Sequence, residues 1–203
     1  ALPISVFGLW NHLRSQRFNR MPGLAMFLDF KKAFDQVWHP ALLLTLSRAG
    51  LSLSLLRIIK DYLTDRSFQV LHDGAMSSPR PALCGVPQGS RLGPSLFSAL
   101  LSTLPLLTQA RVWAYADDLA ISLVHPDAPR LAQNYLDVIA NWARRIKLTV
   151  NPEKSTLLVT GRPPRQVPLI LADAPLQQVP EYTYLGVVLN SRLSFTPNRS
   201  EER

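Results

Sequence analysis

Tyr115-Ala116-Asp117-Asp118 joins two apolar runs, Ala110 to Ala116 and Leu119 to Val124. Apolar run, polar break and apolar run predict two strands joined by a tight turn, with both aspartates at the tip of a β-hairpin. Adjacent carboxylates repel and raise one another's pKa unless a cation sits between them. Ligation by carboxylate oxygens suits a hard cation, magnesium first. The plain alternative is that the pair only solvates a surface turn.

Working outward, Pro126-Asp127 precedes a helix whose apolar face holds Leu131, Tyr135, Val138, Ile139, Trp142 and Ile146, with Arg144, Arg145 and Lys147 at its basic end. Two short strands follow around Asn151-Pro152-Glu153-Lys154, and after Gly161-Arg162-Pro163-Pro164-Arg165 come strand-like pieces at Leu169 to Leu171 and Tyr182 to Leu189. Upstream, Ile4, Phe7, Trp10 and Leu13 recur at near-helical spacing, and Leu24 to Asp29 forms a buried strand ending in an acid. Pro40 suits the first turn of a helix that stops at Gly50, and Leu55, Leu56, Ile59, Tyr62 and Leu63 mark the apolar face of the next. Phe68 to Leu71 with Asp73-Gly74 predicts a hairpin start, and a leucine-rich helix runs from about Pro94 to Leu107 with Pro105 fraying its end. The main body therefore reads β-α-β-β-α-β, an α+β fold in which an antiparallel sheet carries helices on one face. If the first strand pairs with the hairpin, Asp29 joins Asp117 and Asp118 at one sheet edge, and three carboxylates can hold two divalent ions for an in-line phosphoryl displacement.

The 203 residues are 47% hydrophobic, enough for a good core, and Lys plus Arg outnumber Asp plus Glu by 22 to 14 for a net charge of +8. That balance points to a polyanionic partner such as nucleic acid. An acidic membrane surface would attract the same charge, but no bilayer-length apolar run, signal-peptide layout or single basic amphipathic helix supports it. The lone Cys84 gives no internal disulfide and reads as a buried or half-buried structural thiol. His12, His39, His72 and His125 lack the spacing of a zinc site and read as caps and surface residues.

Phe27-Leu28-Asp29-Phe30-Lys31-Lys32-Ala33-Phe34-Asp35, followed by Val37-Trp38-His39, resembles the first catalytic motif of reverse transcriptases from non-LTR, LINE-type (jockey-like) retrotransposons. Gly85-Val86-Pro87-Gln88-Gly89-Ser90-Arg91-Leu92-Gly93-Pro94 resembles their second motif, and Tyr115-Ala116-Asp117-Asp118 their metal-binding one. Leu148-Thr149-Val150-Asn151-Pro152-Glu153-Lys154-Ser155 and Tyr184-Leu185-Gly186-Val187-Val188-Leu189 are similar to the remaining palm motifs, in order. Viral RNA-copying RNA polymerases share the palm but usually carry Gly-Asp-Asp and lack an aromatic at position 34.

The resemblance implies a right-hand polymerase palm with partial fingers that copies RNA into DNA. By it Asp29, Asp117 and Asp118 are the catalytic carboxylates and ligands of two Mg2+ ions, with Mn2+ as a possible substitute. Lys154 is the general acid for the pyrophosphate. Phe30, Phe34, Gln88, Gly89 and Tyr115 face the nucleotide, Phe34 as a gate against the ribose 2′-hydroxyl, while Tyr184, Leu185 and Gly186 grip the primer. Asp35 is expected to make a structural hydrogen bond and to bind no metal. Arg91 stands where the second motif has an apolar residue.

The domain layout implied is a leading helix over 1–22, a palm over 23–165 with an inserted fingers hairpin at about 66–84, primer-grip strands over 166–195, and a polar tail or truncated thumb start over 196–203. The partners implied are an RNA template, a DNA primer or RNA-DNA duplex, dNTPs, and the fingers, thumb and endonuclease domains of a parent polypeptide. Arg14, Arg17 and Arg20 alone precede the first motif, so the chain is expected to be a palm fragment with weak or no turnover by itself, acting in the nucleus by the family's habit. The alternative is a non-catalytic nucleic-acid-binding module of a decayed element.

Overall fold

The computed structural model describes residues 2–15, 21–161 and 166–194. Arg17, Arg20, Arg162 to Arg165 and the polar tail lie outside them. The chain forms two compact units, one of Ala1–Phe30, Pro105–Ala143 and Val150–Arg203, the other of Lys31–Leu104 and Arg144–Thr149.

The first unit is organised by β1 (Gly23–Leu28), six residues buried without exception. A continuous apolar run has no face to give to solvent, so it takes the centre of a sheet. It pairs antiparallel with β7 (Asp118–Val124) on one side and β8 (Thr156–Thr160) on the other. The hairpin partner β6 (Ala110–Tyr115) forms one edge, and β11 (Gln177–Val179) adds a parallel strand beyond β8, giving the order β11-β8-β1-β7-β6. Of the two apolar runs flanking the Asp-Asp pair, only β7 is buried, because β6 lies at the sheet edge with its residues exposed or half-buried.

Helix α1 (Leu2–Arg14) packs on β1, β6 and β7. Its Val6, Leu9 and Leu13 share a core with Ala25, Phe27, Ala120 and Leu158, closed over by Tyr184 and Leu189. Those last two belong to the hairpin β12 (Glu181–Tyr184) and β13 (Val187–Asn190), while β9 (Ile170–Leu171) and β10 (Ala174–Pro175) pair separately. The opposite face of the sheet, with Leu24, Met26, Leu28, Ile121, Leu123 and Leu157, is buried as well. The sheet is therefore buried on both faces, because alternate residues of β1 are apolar in both directions.

The buried line of α1 also differs from Ile4, Phe7, Trp10 and Leu13. Steps of three residues lag a 3.6-residue turn by about 60° each, so these four side chains fan over about half the helix. Ile4 and Phe7 end up 75% and 63% exposed. His12, on the same helix, is neither cap nor surface residue. Its Nδ1 lies 2.7 Å from the buried Ser122 Oγ, which also accepts from Trp113 Nε1 at 2.8 Å. Indole can only donate, so Ser122 Oγ accepts from Trp113 and shares its second hydrogen bond with the His12 ring. Burial and then the Arg111 charge hold the His12 pKa below its usual value.

In the second unit α2 (His39–Arg48) opens on Pro40 and gives way to Gly50 at φ +87°. Helix α3 (Leu53–Leu63) is N-capped by Ser52, but of its predicted apolar face only Leu63 is fully buried. Helix α4 (Gly93–Leu101) ends a turn and a half before the predicted Leu107, ahead of Pro105. Between α3 and α4, β2 (Ser67–Phe68) pairs with β5 (Arg80–Pro81), and β3 (Leu71–His72) with β4 (Ala75–Met76). Asp73 and Gly74 both have positive φ, the mark of a type I′ turn.

The burial of α1 sets a stability contrast. Leu9→Ala is expected to lower unfolding free energy by about 2–4 kcal/mol, whereas Phe7→Ala changes it by less than about 0.5 kcal/mol, both read from urea denaturation. Equal losses would mean that the helix buries its three-residue-step face after all.

Candidate active site

The ladder between β1 and β7 closes with Leu28 opposite Leu119. The next residue of β1 and the preceding residue of β7 are Asp29 and Asp118, so antiparallel register brings the two to the same end of the sheet. Period-two alternation puts both on the face of Phe27 and Ala120. That face is roofed at this end by the β12–β13 hairpin, whose turn residues Leu185 (φ +51°) and Gly186 (φ +81°) again define a type I′ turn. A pocket of about 250 Å³ results, lined by Phe27, Leu28, Asp29, Asp118, Leu119, Lys154, Tyr182 and Tyr184. Asp117 does not line it. It occupies the second position of the two-residue turn between Tyr115 and Asp118, after Ala116 at φ +53°.

The electrostatics of the pocket are those of crowded negative charge. The Asp118 carboxyl is pushed above its usual range, by burial first, then by the charges of Asp117 and Asp29. Burial and the same Asp118 charge also push up the phenols of Tyr182 and Tyr184. Among the described residues no three His, Cys, Asp or Glu side chains are gathered closely enough to ligate one ion as they stand. The donor set still fits magnesium, which usually takes one or two carboxylates and completes its shell with water and substrate phosphates rather than with a protein cage.

Asp29 is held by the turn before β8. Its carboxylate accepts from Asn151 Nδ2 at 2.9 Å, its N–H donates to Ser155 Oγ at 3.1 Å, and its C=O accepts from Asn151 N at 2.8 Å. Ser155 Oγ in turn donates to Asn151 O at 2.7 Å. Lys154 rides on this turn and reaches the pocket from it.

Tyr184, expected at the primer, is only 2% exposed, and its hydroxyl donates to Trp113 O at 3.1 Å. It is a wall of the pocket, and the hairpin tip is left to Leu185 and Gly186. Tyr182, two residues earlier and so on the same face of β12, stacks on Phe27 with centroids 4.0 Å apart. Sequence reasoning passed over Tyr182, although the i, i+2 pair of tyrosines carried the signal. Asn151 and Ser155 lay within a stretch similar to a palm motif but were given no role of their own. Phe30, expected to face a nucleotide, is 3% exposed and packs edge-on against Trp142. Its ring is core, and only its backbone could meet a ligand. Tyr115 stands 40% exposed on the edge strand β6.

The remaining expected residues cluster in the second unit. Phe34 stacks on Phe97 at 4.8 Å, and its C=O accepts from Val86 N at 2.8 Å. Gln88 Nε2 donates to Asp35 Oδ1 at 2.9 Å, the structural hydrogen bond expected of Asp35. Gly85 lies so close that a Cβ there would meet Asp35 O at 2.8 Å, while Arg66 and His39 both bond its carbonyl. Gly89, at φ +76°, has open space around it. Cys84 is exposed rather than a core thiol, its Sγ donating to Asp35 O at 3.2 Å.

Residues 10–189 match the family of reverse transcriptases (RNA-dependent DNA polymerases). The chain is 35% identical over 188 residues to a probable RNA-directed DNA polymerase from transposon BS of Drosophila melanogaster, covering 86% of this chain and 21% of that one. It is 35% identical over 181 residues to the RNA-directed DNA polymerase from mobile element jockey of Drosophila funebris, covering 83% and 20%. It thus spans about a fifth of the length of these curated relatives. Among solved structures, telomerase from Candida tropicalis in complex with a fragment of telomeric RNA shares the palm-type fold, with a TM-score of 0.66 at 13% identity over 98% of this chain and 33% of that one. Sheet, motif order and matched span agree: the chain belongs to the reverse transcriptase family and resembles the jockey-like, non-LTR branch of it.

Proposed function

We propose that the chain is the palm of an RNA-directed DNA polymerase that transfers nucleotides from dNTPs to a primer 3′-hydroxyl on an RNA template during retrotransposition. The observation that carries this reading is the delivery of Asp29 and Asp118 to one pocket by the β1–β7 register, with Asp117 adjacent in the turn. Asp29, Asp117 and Asp118 would hold divalent ions, Mg2+ first. When bound, such ions lower the pKa of an attacking hydroxyl and neutralise charge on the departing oxygens. Lys154 Nζ donates a proton to the pyrophosphate as it leaves. Tyr182 and Tyr184, their phenols pushed above the usual pKa, wall one side of the pocket with rings.

Phe34 is assigned as the sugar gate. A ring held by stacking on Phe97 rejects an added hydroxyl by collision, which discriminates better than apolar packing alone. Gln88 and Gly89 are assigned to the nucleotide and template, Gly89 because its open, positive-φ backbone permits close approach. The β2–β5 insertion is assigned to the fingers and the Leu185-Gly186 tip to the primer. Fingers, thumb and endonuclease regions of a longer polypeptide would supply the remaining substrate contacts, with action in the nucleus. A module that only binds nucleic acid would gain nothing from carboxylates that repel one another, which favours catalysis over the binding-only reading.

The test is primer extension on an RNA template by the chain set in the frame of a jockey-type polymerase. Asp29→Asn, Asp117→Asn or Asp118→Asn should each reduce the rate by at least about 100-fold, and Lys154→Leu by about 100-fold. Phe34→Ala should lower discrimination against ribonucleotides by about 10-fold or more. An unchanged rate in Asp117→Asn would remove the catalytic assignment. Salt-sensitive duplex binding with no metal dependence would then favour the binding module.

The raised Asp118 pKa also predicts a stability effect. A carboxyl whose folded pKa lies above its unfolded value costs stability when ionised, and that cost fades as pH falls through the folded pKa. Asp118→Asn should therefore raise Tm at pH 7 without metal by roughly 1–2 °C, the modest size reflecting its exposure, and should have no such effect near pH 3. Calorimetry at the two pH values decides it, and a lower Tm at pH 7 would contradict the account.

A further inference from the structure

Asp29 stands one residue beyond the last ladder pair of β1, where no strand neighbour fixes its side chain. We propose that Asn151 is the positioning residue for this carboxylate toward the metal, an inference that rests on the polymerase reading above. Three polar handles of Asp29 are met by the same turn: N–H by Ser155 Oγ, C=O by Asn151 N, and Oδ2 by Asn151 Nδ2. Asn151 is 7% exposed, so this clasp works largely out of water, where a hydrogen bond orients more firmly.

Two features separate positioning from ordinary turn formation. First, the amide can face Asp29 only one way, because turned over it would set its oxygen against a carboxylate. That orientation leaves Asn151 Oδ1 buried with no hydrogen-bond partner. A turn shaped for stability alone would pair both ends of the amide or carry an apolar side chain of the same shape. Second, the chemistry of the donor matters. A lysine or arginine at 151 would hold the carboxylate but neutralise it, competing with any cation for the same charge. A primary amide holds it and leaves the negative charge in place. Partners that orient metal-binding side chains in this way commonly govern metal affinity by 10-fold or more. Because Lys154 belongs to the same turn, one five-residue segment sets the direction of the carboxylate and carries the cationic group of the pocket.

The experiment is a Mn2+ titration of the 203-residue chain, followed by electron paramagnetic resonance of the free ion and needing no turnover. Asn151→Leu keeps the shape and removes the donor. It is expected to weaken Mn2+ binding by about 10-fold while Tm stays level or rises, because the orphaned oxygen leaves with the amide. In primer extension within the jockey-type frame, the same variant should raise the apparent Mg2+ KM and retain most of kcat at saturating metal. Asp118→Asn serves as the reference. If it leaves Mn2+ affinity unchanged, the metal site and the polymerase reading fall together. If it weakens binding while folded Asn151→Leu binds as the unaltered chain does, the positioning role alone is overturned. Should Asn151→Leu fail to fold, Asn151→Ala is titrated by the same criterion, and failure of both to fold overturns the proposal in favour of a purely structural asparagine.

Discussion

The pairing of Leu28 with Leu119 fixes where each carboxylate of the pocket stands. Both strands are almost continuously apolar, so hydrophobic alternation, which normally sets register, has little to choose with. The polar interruptions choose instead. Ser122 sits opposite Ala25 and satisfies His12 and Trp113 on the α1 side of the sheet. A slip of one residue would turn that hydroxyl into the other apolar face without a partner. It would also carry Asp118 away from Asp29. A small buried polar network under α1 thus guards the geometry of a pocket at the sheet's end, and the cost of an unsatisfied hydroxyl, about 1–3 kcal/mol, is large enough to decide between registers.

The pocket is built against its own stability. Asp118, its pKa lifted by burial first and then by the charges of Asp117 and Asp29, follows a turn with a non-glycine residue in the left-handed region, and the clasp on Asp29 leaves a buried acceptor unpaired. Each is unfavourable when judged as folding, and all three involve the residues that carry or hold the carboxylates of the site. Such concentrations mark sites whose fitness is measured with something bound. The surrounding sheet, buried on both faces, supplies the margin that lets them persist.

Much of this was legible in the sequence because it depended on local pattern. The Leu24 to Asp29 run, the Asp-Asp break and the Pro40 and Gly50 boundaries each declare an element by composition within a few residues. What escaped notice depended on tertiary context. Three-residue spacing in α1 suggested the wrong buried line because Val6 and Leu9, not Ile4 and Phe7, meet the sheet. The apolar run before the Asp-Asp pair could not reveal that β6 would lie at an edge, nor could the letters around Gln177 announce a parallel strand beside β8. In the site, acids and lysine were visible by chemical type. Asn151, Ser155 and Tyr182 were not, since their roles arise from partners 122, 126 and 155 positions away in the chain.

Ala116 has a further consequence. Its positive φ is a conformation that glycine enters freely and that alanine enters only at a cost of about 1–2 kcal/mol. A glycine at this position would relax the hairpin tip, but it would also let the tip sample many more arrangements before anything binds. Alanine does the opposite. It keeps the tip under slight tension and narrows the range of directions in which Asp117 can point, so less freedom is lost when that carboxylate is called on. The methyl group thereby converts a little stored energy into readiness, and palms with alanine or glycine at this place would differ in how much of their ordering is done before the substrate arrives.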